Sequence, residues 1–247
     1  MLEAADTNDA VFPPTILYDE GWMLRLILAV AATGIGCLPC SFAAGAKWYS
    51  EALLHSPFLT RHHGDELAET YTHADGVVGH IRVRAGTKTG LEITPDGKQF
   101  VVLEAKMFSP LSAGTRRAPF YDQAARTVAC MASTLEHSRK QIGDLESLGF
   151  YVLAPESQIN QGVFAEQMTR ESIMRKVQQR IAQYDDGKGA RREWFDNTFR
   201  PLVSRIDLAC WSWENALKAI IEANPSEGNT IREFYDRCLI YNQGLSS

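Results

Sequence analysis

Phe100-Val101-Val102-Leu103-Glu104-Ala105-Lys106 is an apolar run that ends in an acid and a lysine two residues apart. A short apolar run of this kind reads as a buried strand. Side chains alternate along a strand, so Glu104 and Lys106 leave the same face, and a carboxylate and an ammonium stand together at its end. Burying such a pair is unfavourable unless a metal or an anionic ligand uses it. A carboxylate that can bind a hard cation, beside a lysine that can orient a nucleophile or meet a phosphate, is a minimal kit for cleaving phosphodiesters.

Working outward, Pro95-Asp96-Gly97-Lys98 reads as a hairpin turn, because Asp-Gly accepts the positive φ angles of a tight turn. Before it, His80-Ile81-Arg82-Val83-Arg84 and Leu91-Glu92-Ile93-Thr94 alternate as strands. With Gln99 to Lys106 they make an expected antiparallel meander of three strands. On the other side, Ala124, Val128, Met131 and Leu135 recur at helical spacing within a helix expected over Pro119 to Leu148. Gly149 stops it, and Phe150 to Pro155 follows as a short strand, so the helix is a crossover between two buried strands.

Further from the centre, residues 1–15 read as a loose tail. Residues 26–46 carry no charge. Thr33-Gly34-Ile35-Gly36 and Pro39 interrupt that run too often for one membrane-crossing helix, so a buried helix from Gly21 to about Ala32 and a buried loop are expected, with no membrane partner. A second helix is expected over Ala46 to Leu54, ended by Pro57. Towards the C-terminus, helices are expected over Val163 to Tyr184, Arg191 to Phe199, Trp213 to Ala223 and Thr230 to Tyr241, with a polar break at 185–189 and a strand over Ser204 to Trp211. The domain reading is a tail at 1–15, an α/β core at 16–160 and a mainly helical C-terminal extension at 161–247 packed on it.

The chain has 247 residues, 45% of them hydrophobic, and a formal net charge of −5. Any nucleic-acid contact therefore rests on a local basic groove and not on a globally positive surface. Five cysteines, an odd number, and no charged-then-apolar leader point to a reducing cytoplasm. Cys37-Leu38-Pro39-Cys40 has zinc-knuckle spacing but lacks the other two ligands of a structural site. His62-His63, His73 and His80 lack the paired spacing of a zinc hydrolase. No Gly-x-x-x-x-Gly-Lys loop is present, which speaks against an ATPase.

Helix, three strands ending in Glu-x-Lys, helix, strand: in this order the chain resembles the PD-(D/E)xK superfamily, the restriction-endonuclease-like nucleases, over roughly residues 45 to 160. The residues that carry the resemblance are Glu104-Ala105-Lys106 and, upstream, Asp75-Gly76-Val77-Val78. The resemblance implies an α/β fold with a mixed central sheet, an antiparallel meander plus a crossover strand, flanked by helices. It also implies that the upstream acid and Glu104 hold Mg²⁺ or Mn²⁺, with the Ala105 carbonyl as a further ligand, while Lys106 positions or activates the attacking water. Gln123, on the following helix, matches a glutamine that several branches place near the metal, and Glu51 matches an additional helical acid before the strands.

The upstream acid is where the chain departs from a compact motif, because Asp75 lies 29 residues before Glu104. Asp96 follows a proline, as the motif's letters ask, but at the hairpin tip it stands more than ~20 Å from Glu104 at about 3.3 Å per residue. Glu92 is the rival: on the meander it falls near Val101, about 10 Å from the pair. Asp75 is preferred, since its acid-then-apolar-strand start is the one the family shows.

Arg116 and Arg117, in the loop after the strand, stand where flanking phosphates would be met; Arg126, Arg175, Lys176 and Arg180 could extend that groove. The functional expectation is a Mg²⁺-dependent nuclease acting on DNA, with the choice between DNA and RNA left open by the sequence, in restriction or defence, with a homodimer attractive for cutting both strands. The alternative is a protein that keeps the fold for nucleic-acid binding or structure without cutting.

Overall fold

A computed structural model describes residues 13–69, 72–88, 90–184 and 189–243. The tail expected at 1–15 therefore lies outside the described residues up to 12, and Pro14–Ile16 is a single 3₁₀ turn. The 185–188 part of the expected polar break also lies outside them.

Helix α1, Glu20–Ala31, opens the fold; Asp19 caps it, accepting the Trp22 N–H at 2.7 Å. Strands β1 (Lys47–Leu54) and β2 (Thr72–Gly79) form an antiparallel pair. Strands β3 (Ile81–Val83) and β4 (Leu91–Ile93) form a separate two-stranded hairpin. Strand β5, Gln99–Ala105, then returns to pair antiparallel with β2. Helix α2, Gln123–His137, leads to β6, Ser147–Ala154, which lies parallel to β5. After α3 (Glu156–Asn160), α4 (Arg170–Tyr184), α5 (Ala190–Trp194), a π-helical turn and α6 (Arg200–Arg205), strand β7 (Asp207–Ser212) joins β6 in parallel. Helices α7 (Trp213–Ala223) and α8 (Pro225–Asn242) close the described chain.

The result is an α/β fold around a five-stranded mixed sheet of order β1-β2-β5-β6-β7. Phe100 and Val102 face one core with α2, α4 and the aromatic segment Trp194, Phe195 and Phe199; Val101, Leu103 and Ala105 face the other, with α1, α7 and α8. Both faces of β5 are thus covered, and all seven of its residues are buried, as its continuous apolar run requires. The C-terminal segment supplies an edge strand of this sheet as well as helices.

Several expectations change. Ala46 to Leu54 forms strand β1 in place of a helix: pairing with β2 and the inward, alternate Ala52 and Leu54 outweigh the helix preference of Ala, Glu and Leu. The three-strand meander of residues 80–106 is not formed. β3 and β4 pair only with each other, and the antiparallel set is β1-β2-β5 with that hairpin inserted. The crossover helix ends at His137, eleven residues short of Leu148. Arg139 adopts the left-handed conformation (φ 54°), and the Lys140 N–H bonds back to the Leu135 carbonyl at 2.9 Å, a Schellman closure without glycine. β6 therefore starts at Ser147 and runs through Gly149. The expected helix from Val163 begins only at Arg170, and the loop after α1 is mostly at the surface, with Cys37 and Leu38 as its buried anchors. No helix among the described residues is long and apolar enough to cross a membrane.

Candidate functional site

Glu104 and Lys106 continue the face of β5 that Phe100 and Val102 define, but they come where β5 leaves the sheet, at the carboxyl ends of the parallel strands. The open end of a parallel sheet is where α/β folds place ligands. The main chain there is pinned on both sides: the Lys106 N–H donates to the Leu153 carbonyl at 2.8 Å, and the buried Trp213 indole donates to the Lys106 carbonyl at 3.0 Å. Lys106 Nζ then donates to Glu104 Oε1 at 2.6 Å.

Gln123 reaches the same oxygen. It is the first residue of α2, and its Nε2 donates to Glu104 Oε1. Its Oε1 accepts the Ser112 N–H and its own N–H donates to the Ser112 carbonyl, both at 2.9 Å, so the loop before α2 fixes its amide at two points. Asp122 fixes the helix start: one oxygen accepts the Ala125 N–H at 3.1 Å, and the other takes Lys176 Nζ from α4 at 2.6 Å.

Asp75 stands across from Glu104. The last pair of the β2–β5 ladder is Gly76 with Leu103, so one step further sets Asp75 opposite Glu104. Its Oδ2 accepts the Ala105 N–H at 2.8 Å. The N–H and C=O of one strand residue leave on the same side, so the Ala105 carbonyl is directed towards Asp75 as well. Here β2 is distorted: Ala74 and Val77, three apart, both face the α2 core, as do Tyr49 and Ala52 of β1. Glu51, which the register sets opposite Asp75, has φ 54° and drops out of the ladder.

The electrostatics are those of an over-acidic pocket. Glu104 is 2% exposed; burial first, and then the neighbouring Asp75, push its carboxyl up to about 8, with Lys106 opposing. Its Oε1 accepts two hydrogen bonds, whereas Oε2 is buried and accepts none. A buried carboxyl oxygen without a donor, one side chain away from a second carboxylate, is satisfied either by a proton, which the raised value favours, or by a cation that replaces it. Asp75, Glu104 and the Ala105 carbonyl fit a hard ion held by one or two carboxylates plus water, as Mg²⁺ is. Among the described residues no group of three or more His, Cys, Asp or Glu side chains is placed to hold a metal, so the candidate rests on this smaller oxygen set.

These residues open into a cleft of about 580 Å³ lined by Asp75, Glu104, Lys106 and Gln123 together with Glu69, Thr72, His73, Thr115 and Arg126. Four candidates are placed elsewhere. Glu51 is half-exposed on β1 and pairs with Arg25 of α1 at 3.1 Å, so it is not the helical acid the resemblance implied. Glu92 sits on the β3–β4 hairpin, bound to Arg82, and not on a strand beside β5. Arg117 is paired with Glu66, and Arg116 is exposed; neither lines the cleft.

Two residues escaped the sequence reading of the site, Glu20 and Glu69, and a third, Arg126, was named only among several cations that could extend a groove. Glu20, in the first turn of α1, is raised by burial, and its charge is felt by both Lys106 and Asp75. The sequence signal was limited to a helix start, Asp19-Glu20 ahead of an apolar periodic run, which says nothing of the sheet's end. Glu69 had no local signal beyond charge, and nothing set Arg126 apart from the other cations. The chain matches no family model, no curated protein and no solved structure.

Proposed function

We propose that this protein is a divalent-metal-dependent nuclease that hydrolyses DNA phosphodiester bonds on a restriction-endonuclease-like core. The observation that carries the reading is Glu104 Oε2: buried, without a hydrogen bond, beside Asp75, and on the same side chain whose other oxygen meets Lys106. The order of elements supports it, since α1, the antiparallel set β1-β2-β5, α2 and the parallel β6 follow the sequence of parts that the Glu-x-Lys resemblance implies.

Asp75, Glu104 and the Ala105 carbonyl would hold Mg²⁺ or Mn²⁺. The ion supplies charge neutralisation at a phosphoryl oxygen and a lower pKa for the attacking water. The chain's own groups do the rest. Lys106 places an ammonium beside Glu104, where it orients the nucleophile and meets negative charge developing on the phosphate. Gln123 holds Glu104 in position through its Ser112 clamp. Trp213 and Leu153 keep the Lys106 backbone from shifting, which matters because small displacements of a positioned group lose large factors in rate.

The test is cleavage of plasmid, linear and single-stranded DNA, and of RNA, by purified protein with Mg²⁺ or Mn²⁺. Wild type cuts DNA, and Glu104→Ala and Lys106→Ala do not while retaining the wild-type circular-dichroism spectrum. If no substrate is cut with either metal, the non-cleaving, nucleic-acid-binding reading takes its place.

A further inference from the structure

The other cations that the sequence set beside Arg126 do not line the cleft and are already committed. Lys176 is held by Asp122 at 2.6 Å, Arg180 by Glu69 at 3.0 Å and Arg175 by Glu166 at 3.7 Å. Arg126 is different. It lines the cleft, forms no ion pair among the described residues, and has a buried Nε with no hydrogen-bond partner. Its Nη2 makes a single long contact, 3.4 Å to Ser112 Oγ. Gln123 and Arg126 are three apart on α2 and share a face, so the guanidinium stems from one turn beyond the side chain that touches Glu104.

The cleft is consequently polarised. At one end Asp75 and Glu104 face a single ammonium, Lys106. At the other, Arg126 stands near one carboxylate, Glu69, whose oxygens already accept from the buried Arg180 and, at 3.3 Å, from Ser56. Each end has a buried atom without a partner, and the two demands are opposite: Glu104 Oε2 needs a positive or donating group, and Arg126 Nε needs an acceptor. A cation beside an anion answers both.

We propose that Arg126 is a phosphate-binding residue, its Nε–H donating to a non-bridging oxygen of a nucleic-acid phosphate held beside the acidic end of the cleft. The assignment of the anion rests on the nuclease reading above. The planar guanidinium matches phosphate oxygens as the ammonium of a lysine does not. Two sources share this chemistry, an internal phosphodiester and a terminal phosphate.

Fluorescence anisotropy of short labelled DNA in EDTA, where no metal supports cleavage, separates them. Arg126→Gln weakens binding on the order of tenfold and lowers the salt slope by about one; Arg126→Lys recovers the slope but not the full affinity. A loss seen only with 5′-phosphorylated ends assigns the terminal phosphate, and an equal loss with hydroxyl ends assigns the internal one. Unchanged affinity and slope in Arg126→Gln overturn the proposal. Should that variant melt well below wild type, the arginine Nε–H resonances of wild-type protein titrated with inorganic phosphate decide instead: the Arg126 resonance, assigned with Arg126→Lys, shifts, and a resonance that stays fixed overturns the proposal. Failure of the nuclease reading looks different, with Arg126-dependent phosphate binding intact and no substrate cut by wild type with Mg²⁺ or Mn²⁺.

Discussion

Asp75 and Glu104 face each other one step past the last paired residues of β2 and β5, Gly76 and Leu103, so that two carboxylates meet where the sheet opens. This relationship makes Asp75 the upstream acid of the proposed site. Glu92, the rival in sequence, is bound to Arg82 on a hairpin that does not join the main sheet. Asp75→Asn is expected to reduce cleavage to background, whereas Glu92→Gln keeps activity within about twofold and, as an exposed pair, alters stability by less than ~1 kcal/mol. Initial rates on one DNA substrate, with thermal melts of both variants, check this; a dead Glu92 variant beside an active Asp75 variant would reverse the assignment.

The raised Glu104 carboxyl makes stability depend on pH in a defined direction. Its folded value, about 8, lies above the ordinary carboxyl value of 4.5, so the folded state holds the proton more tightly than the unfolded chain. Below the ordinary value both states are protonated and nothing is lost. Between the two values the unfolded chain deprotonates first, so stability falls as pH rises, and above about 8 the whole penalty stands. Glu104→Gln lacks this titration. The difference in Tm, variant minus wild type, is expected to grow by about 5 °C or more from pH 5 to pH 8. Mg²⁺ at pH 8 is expected to raise the Tm of wild type and leave that of the variant, because the ion favours the charged carboxylate. A Tm difference that is flat with pH would mean that Glu104 titrates normally.

Asp122 and Lys176 form a buried pair that also caps α2, next to Gln123. Asp122→Ala removes the cap, at about 1 kcal/mol, and strands a buried ammonium, at about 3–5 kcal/mol. The expected result is a Tm lower by roughly 10 °C, and, well below that Tm, cleavage slowed by about tenfold as Gln123 loses its fixed start. Replacing both residues, Asp122→Asn with Lys176→Met, leaves no stranded charge and is expected to recover most of the stability. Denaturant unfolding of the single and double variants measures the coupling directly.

The core of this arrangement was legible because it is local. Glu104 and Lys106 share a face by strand parity alone, and the apolar run before them could only be buried on both sides. The crossover helix announced itself through Ala124, Val128, Met131 and Leu135. What failed was pairing at a distance. Nothing within Leu91 to Ile93 says that it will pair with β3 alone, and nothing in Ala46 to Leu54 overrides its helix-forming residues until β2 lies beside it. Glu51 and Glu92 were misplaced through those two errors, while Asp75 lies beside Glu104 because β2, a strand the expected meander left out, pairs with β5. Arg126 could not be singled out from Lys176 and Arg180, since only the fold shows which cations Asp122 and Glu69 have already taken.

Glu20, on helix α1, and Glu51, on strand β1, are rival acids for the surroundings of the proposed metal, and the two can be told apart. Glu20 is partly buried at the start of α1, with its charge coupled to Lys106 and Asp75; Glu51 is half-exposed and spends one oxygen on Arg25. An acid that reaches the groups around a metal without binding it typically contributes 10–100-fold to affinity or rate. Glu20→Gln is therefore expected to lower cleavage, or the affinity for Mn²⁺ measured calorimetrically, by about tenfold with little loss of Tm. Glu51→Gln is expected to change either quantity by less than about threefold, its exposed pair with Arg25 contributing under ~1 kcal/mol. The same two variants in reverse order of effect would place the β1 acid, across the distorted register from Asp75, in the metal's surroundings after all.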